Sequence, residues 1–232
     1  MPNKSICIIP ARGGSKRIPR KNIKEFCGKP IIAYSIQVAL ESELFDEVMV
    51  STDDDEIAEI AKSYGAKVPF MRNAKNADDF ASTFDVLEEV LENYRREGIS
   101  FEMTCCLYPT APLTSRNRLK EAYHNLVSQN KDSVIPIVPF SYPPQRSFKV
   151  NGSLVSYNHP EYEKTRSQDL EKHYHDAGQF YWSKTKILLK QKSLITQNSG
   201  FLELSDLEVQ DIDTMADWNL AELKYKLINE VS

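Results

Sequence analysis

A chain of 232 residues, 41% hydrophobic and 27% charged, has the size and composition of one globular core with room for a smaller lobe. Its net charge of −4 speaks against general nucleic-acid binding and leaves space for a local basic pocket. No apolar run reaches the length of a membrane span and the start carries no signal-peptide core, so no membrane is expected and the expected setting is the cytoplasm.

The chain opens on an apolar run, Ile6-Cys7-Ile8-Ile9, fit for a buried strand, which passes straight into Pro10-Ala11-Arg12-Gly13-Gly14-Ser15-Lys16-Arg17-Ile18-Pro19-Arg20-Lys21-Asn22. Adjacent glycines let backbone N–H groups crowd around an anion. Arg12, Lys16, Arg17, Arg20 and Lys21 then supply the cations that would hold a triphosphate and steady its charge as a bond breaks. The loop lacks the Gly-Lys-Ser/Thr of a P-loop and the GxGxxG of a dinucleotide fold.

Gly28-Lys29-Pro30 predicts a turn into a helix from 31 to about 41, and 46–52 predicts a short buried strand. Asp53-Asp54-Asp55-Glu56 places acid in the first turn of a helix ending at Tyr64 with Gly65 beyond it; helix capping is preferred there over a metal site. A strand is predicted at 66–70, a helix capped by Ser82 or Thr83 through Tyr94, and a strand at 101–107. An exit loop at 108–113, a helix at 115–128 and a strand at 133–138 complete an alternating order that predicts a mostly parallel sheet covered on both faces. Residues 141–174, rich in proline, tyrosine and charge with a hairpin signal at Asn151-Gly152, predict an inserted arm or small lobe. The pattern resumes as a strand at 178–182, a helix near 183–191, a strand at 208–212 and a closing helix at 214–231.

Asp211-Ile212-Asp213 on a strand would turn both carboxylates to one face, where they suit Mg²⁺ or another divalent ion, although solvated edge acids or a helix cap would give the same letters. Arg72 and the run 79–83 suit either a base or sugar contact or a bare capping box. Cys7, Cys27, Cys105 and Cys106 lack CxxC spacing and read as reduced structural thiols; His173 and His175 have no third ligand nearby and read as packing residues.

The run from Ile8 to Asn22 resembles the N-terminal signature of the sugar-acid cytidylyltransferases, which make CMP-sialic acids and their relatives. Leu107-Tyr108-Pro109-Thr110-Ala111-Pro112-Leu113 is similar to that family's Leu-Gln-Pro-Thr-Ser-Pro-Leu, with Tyr108 in place of glutamine, and Asp211-Ile212-Asp213 with Asp217-Trp218 is similar to its closing motif. The segment 165–182, reading His175-Asp176-Ala177-Gly178-Gln179-Phe180-Tyr181-Trp182 at its end, resembles the pseudaminic acid branch.

The resemblance implies a single Rossmann-like α/β nucleotidyltransferase domain over 1–232, with the 141–174 arm as a dimerisation element. It implies a reaction of CTP with a nonulosonic acid, pseudaminic acid, giving CMP-sugar and pyrophosphate. Arg12, Lys21 and Asp211 would be catalytic, and Ala11, Arg12, Gly13, Gly14, Lys21, Asn22, Arg72, Ser82 and Thr110 would bind nucleotide. Tyr108, Arg166, Gln168 and Gln179 would meet the sugar, Asp211 and Asp213 the metal, and Asp217 would start the last helix. The alternatives are N-acetylneuraminic, legionaminic or Kdo-type acid in the same reaction, another base, or a non-catalytic nucleotide-binding regulator.

Overall fold

The computed structural model describes residues 4–77 and 81–230. Strand β1 (Ser5–Pro10) is followed by the short pair β2 (Glu25–Phe26) and β3 (Lys29–Pro30), helix α1 (Ile31–Ser42), β4 (Glu47–Ser51) and α2 (Asp55–Ser63). Then come α3 (Thr83–Arg96), β5 (Met103–Leu107), α4 (Arg116–Ser128) and β6 (Ser133–Pro139). The hairpin β7 (Phe148–Asn151) and β8 (Leu154–Tyr157) precedes β9 (Tyr174–Asp176), β10 (Phe180–Lys184), α5 (Thr185–Gln191), β11 (Ser199–Glu203) and α6 (Met215–Glu230).

The main sheet runs β11-β6-β10-β5-β1-β4, with β9 also on β6. β4, β1, β5, β6 and β11 point one way, while β10 and β9 run against them. β9 and β10 form one interrupted strand: Ile137 faces Asp176, Val134 faces Trp182, and the break falls at 177–179. Cys7, Ile9, Phe180 and Trp182 pack under α1, α2 and α4, whereas Ile6, Ile8, Cys106 and Tyr181 pack under α3 and α5. Successive residues of each strand thus serve opposite cores, which is why these strands read as continuous apolar runs.

Two expected strands are not found. Around 66–70 only Lys67 bridges to Met49, because Gly65, at φ 96, ends the α2 turn and Pro69 has no N–H to continue a ladder. At 208–212 a short 3-10 turn over Asp206–Glu208 occupies the start, wound by a capping box in which Ser205 and Glu208 satisfy each other's backbone. The sheet's far edge is instead Ser199–Glu203, whose Gly200 lies against Lys131 and Val134.

The arm carries only short 3-10 turns and the β7–β8 hairpin. Its loop is Gly152-Ser153, with Gly152 at φ 60, fitting the type II′ preference for glycine first. Phe148, Val150, Leu154 and Val155 are all exposed on it, with no core beneath. Among the described residues no helix is long and apolar enough to cross a membrane. Val231, the expected end of the last helix, lies outside the described residues.

Candidate active site

β1 delivers the basic loop to the C-terminal edge of the sheet, where open α/β sheets place ligands. Ala11 N–H donates to Ser51 O at 2.9 Å, extending the β1–β4 pairing past Pro10. Buried Asn22 donates its amide to the Arg12 carbonyl at 2.9 Å, closing the loop on itself. Gly13 N–H donates to Asp53 at 3.0 Å, and a Cβ there would stand 2.7 Å from the Asp54 carboxylate, so glycine is required by close approach. Arg20, left-handed at φ 55, reaches both Asp54 and Glu56 with its guanidinium. That bond holds the Asp54 carboxyl below its ordinary range while Asp54 caps α2 through Ile57 N–H.

Opposite the loop stand the two acids, on an irregular segment rather than the expected strand. Ile212 is buried between them, with Asp211 exposed and Asp213 half-buried. Ile18 of the basic loop and Ile212 belong to one apolar cluster with Phe26, Ile31, Tyr34 and Trp218. Burial of these side chains therefore fixes cations and acids relative to each other. Lys21 Nζ donates to the Ile212 carbonyl at 2.5 Å and lies 3.9 Å from the Asp213 carboxylate. Burial pushes the Lys21 ammonium pKa down, opposed by Asp213 and Asp211. Arg17 grips Asp213 with both terminal nitrogens, at 2.7 and 2.6 Å. Asp217 accepts from Asp213 N–H, Thr214 N–H and Thr214 Oγ1, and so starts α6 as expected.

Among the described residues no group of three His, Cys, Asp or Glu side chains is placed to hold a metal. Asp211 and Asp213 still offer the hard oxygen pair that suits Mg²⁺ when phosphate oxygens and water complete its shell.

The loop lines a cleft of about 390 Å³ with Arg12, Lys16, Lys21, Asn22, Tyr108 and Thr110. A second hollow of about 200 Å³ shares Pro10, Arg12 and Tyr108 with it and adds Arg72, Ser82 and Thr83. The two are ends of one groove. Arg72 is buried and hydrogen-bonded to Ser51, which lowers its pKa through desolvation. Ser82 caps α3 in a reciprocal box with Asp85. Asp79 and Phe80, from the same expected motif, lie outside the described residues. A larger hollow of about 450 Å³ along α3 is walled by Asp85, Glu88, Glu89 and Glu92 with Lys75 and Arg96, a net negative lining that disfavours a triphosphate.

Of the residues expected at the sugar, Tyr108 meets the groove, its hydroxyl 3.1 Å from Thr83 Oγ1. Gln179 is buried and gives its amide to the Glu208 carbonyl at 2.5 Å, tying β10 to the segment that leads to Asp211. Arg166 and Gln168 are exposed on the arm and line neither end of the groove. Sequence reasoning passed over Arg17 as a partner of Asp213 and Arg20 as a latch on α2. It also left out Tyr181, although alternation along Phe180-Tyr181-Trp182 sets it on the opposite face from its neighbours.

A glycine-rich cationic loop facing an acid pair, at the C-terminal edge of a mostly parallel sheet, defines an α/β protein of the nucleotidyltransferase class. The chain belongs to the cytidylyltransferase family: the family model described as "Cytidylyltransferase" matches residues 6–216. A pseudaminic acid cytidylyltransferase of Campylobacter jejuni subsp. jejuni serotype O:23/36 is 45% identical over 98% of both chains. A CMP-N,N′-diacetyllegionaminic acid synthase of Legionella pneumophila is 34% identical over 97% of both. The solved structure of a CMP:2-keto-3-deoxy-manno-octonic acid synthetase complexed with CTP matches the fold with a TM-score of 0.71 at 20% identity, covering 98% of this chain and 99% of that one.

Proposed function

We propose that this chain transfers the cytidylyl group of CTP to pseudaminic acid, giving CMP-pseudaminic acid and pyrophosphate. The observation that carries the reading is Lys21, its ammonium seated on the Ile212 carbonyl between the two acids while it lines the basic cleft. The 45% identity to a pseudaminic acid enzyme over nearly the whole length supports the choice of sugar.

In the reaction the anomeric hydroxyl oxygen forms a bond to the α-phosphorus, the bond to the β-phosphate's bridging oxygen breaks, and the hydroxyl proton leaves to solvent. Arg12 and Lys21 donate to the phosphate oxygens, and the Gly13-Gly14 backbone accepts their close approach. Arg72, Ser82 and Thr110 line the parts of the groove left for the rest of the nucleotide. Asp211 and Asp213 would hold Mg²⁺, which when bound supplies charge neutralisation at the phosphates and lowers the hydroxyl pKa. Tyr108 in place of the family's glutamine favours a sugar other than N-acetylneuraminic acid.

Pyrophosphate release with CTP and Mg²⁺, offering pseudaminic and N-acetylneuraminic acid in parallel, tests the reading. Release with pseudaminic acid alone is expected; release with N-acetylneuraminic acid alone discards the sugar, and release with neither discards the reaction.

We further propose that the arm joins two copies of the chain. A hairpin of two strands is marginal alone, and this one exposes Phe148, Val150, Leu154 and Val155. Val150→Glu together with Val155→Glu is expected to turn a dimer into a monomer by light scattering; a wild-type monomer sinks the idea.

A further inference from the structure

Asp176 ends β9, and its carboxylate is fixed from two sides. Gly178, at φ 64, turns its N–H back to Oδ1 at 2.8 Å, and Tyr181 donates its phenol to Oδ2 at 2.6 Å. A carboxylate has about four acceptor sites, so two remain for a ligand. Among the described residues Asp176 has no ion-pair partner, and its charge is left for an incoming donor.

Asp176 lines a cavity of about 420 Å³ whose wall also holds Ser141, Gly178, Asp206, Gln210, Asp211 and Lys224. That volume falls in the ~300–1,000 Å³ range of small-molecule sites. A pair of tyrosines links Asp176 to the groove: Tyr181, which donates to Asp176, meets Tyr108 edge-on, ring centres 5.5 Å apart, and Tyr108 lines the groove. Asp211 stands on the cavity wall, so the acid proposed for the reacting centre has an open space beside it. Burial, then the neighbouring Tyr108 and Asp176, push the Tyr181 phenol pKa far up, which keeps it a donor to the carboxylate.

We propose that Asp176 is a specificity-determining contact for the sugar acid, its carboxylate accepting a hydrogen bond from a substrate amide N–H or hydroxyl in this cavity, with Tyr181 as the residue that positions it. The inference rests on the reading of the chain as a sugar-acid cytidylyltransferase. An ionised carboxylate only accepts, so it selects a substrate that presents a donor there and rejects one that presents an acceptor.

The test uses the full chain and the variants Asp176→Asn and Tyr181→Phe. Calorimetry reads pseudaminic acid binding to protein saturated with a non-hydrolysable CTP analogue, and steady-state kinetics read both KM values. Losing the charged acceptor should weaken sugar binding about 10-fold or more in Asp176→Asn, and losing its brace about 3-fold in Tyr181→Phe, with CTP affinity within about 2-fold of wild type. In Tyr181→Phe the sugar KM should rise while kcat at saturation holds, a split that general loosening would not give. Unchanged sugar affinity in both variants overturns the proposal, as does an equal loss of CTP affinity. If Asp176→Asn fails to fold, Tyr181→Phe decides alone. Wild-type protein that binds the CTP analogue but no sugar acid overturns the enzymatic reading as well, whereas wild-type turnover with indifferent variants overturns only the role of Asp176.

Discussion

Arg17 and Asp213 are joined by a bidentate contact, 2.7 and 2.6 Å, that crosses from the basic loop to the acid pair. The loop thus supplies its own cation to a carboxylate proposed above to hold a metal ion, and the two cations would compete for it. Arg17 is largely exposed and held by little else, so a triphosphate in the cleft offers it an alternative partner. Arg17→Gln should tighten Mn²⁺ binding to the nucleotide-free protein by about 2- to 5-fold, the worth of an exposed ion pair. Titration followed by electron paramagnetic resonance checks this, and the gap should narrow at high salt. Equal affinity for both proteins would show that the pair does not compete.

In the proposed reaction Lys21 would set an alkaline limit on nucleotide use. Its folded pKa lies below the ordinary 10.5 because burial disfavours the charged form more than Asp213 and Asp211 favour it. Only the ammonium brings a positive charge to the phosphate, so kcat/KM for CTP should fall as pH rises through that lowered pKa, earlier than for an exposed lysine. Lys21→Arg should carry the limb to higher pH. Lys21→Met should remove it and lower kcat/KM by about 10²–10³-fold, the usual cost of deleting one such donor. A pH–rate profile from 6 to 10.5 separates the three. A Lys21→Met enzyme with wild-type activity would remove Lys21 from the mechanism.

The loop was legible because its chemistry is local: an apolar strand, two glycines and a run of cations need no distant partner to be recognised. The acids at 211 and 213 stood out by their letters, but the strand expected to turn both carboxylates to one face does not form; Asp211 is exposed and Asp213 half-buried on either side of buried Ile212. Ser199–Glu203 was missed because Gly200 weakens the alternation that marks a strand, and only Lys131 and Val134, far away in sequence, explain the glycine. The links of Arg17 to Asp213 and of Gln179 to Glu208 span 196 and 29 residues, separations that periodicity does not report. Tyr108 was read from family likeness, and only the structure joins it to Thr83 and Tyr181.

Gly13 is fixed by a carboxylate rather than by backbone twist. A methyl group at Gly13 would press on Asp54, which cannot retreat freely because Arg20 holds it and the α2 backbone needs it as a cap. Gly13→Ala should therefore raise the KM for CTP and cost about 1 kcal/mol of stability through the strained cap. The Gly14→Ala control has nothing within 4 Å of its added Cβ and should retain wild-type stability. Thermal unfolding of the pair distinguishes them; equal losses would argue against the Asp54 contact.

Glu208 anchors the segment that carries the acids, and its own acidity predicts how that anchor fails. Arg118 takes both carboxylate oxygens, at 2.7 and 3.0 Å, and with Ser205 lowers the Glu208 pKa to about 2 from an ordinary 4.5. A carboxylate whose folded pKa is depressed adds stability that is fully present above the unfolded value and is lost as pH falls from there through the folded one. The window is therefore pH 4.5 down to about 2. Both side chains are partly exposed, 32% and 24%, so solvent screening cuts the contribution well below the full shift. About 1 kcal/mol at neutral pH is expected, or about 2–4 °C in the unfolding midpoint for Glu208→Gln. The difference between variant and wild type should shrink through the acid window, because the wild-type group is then protonated too. A constant difference down to pH 2 would mean that the lost stability comes from packing rather than from charge.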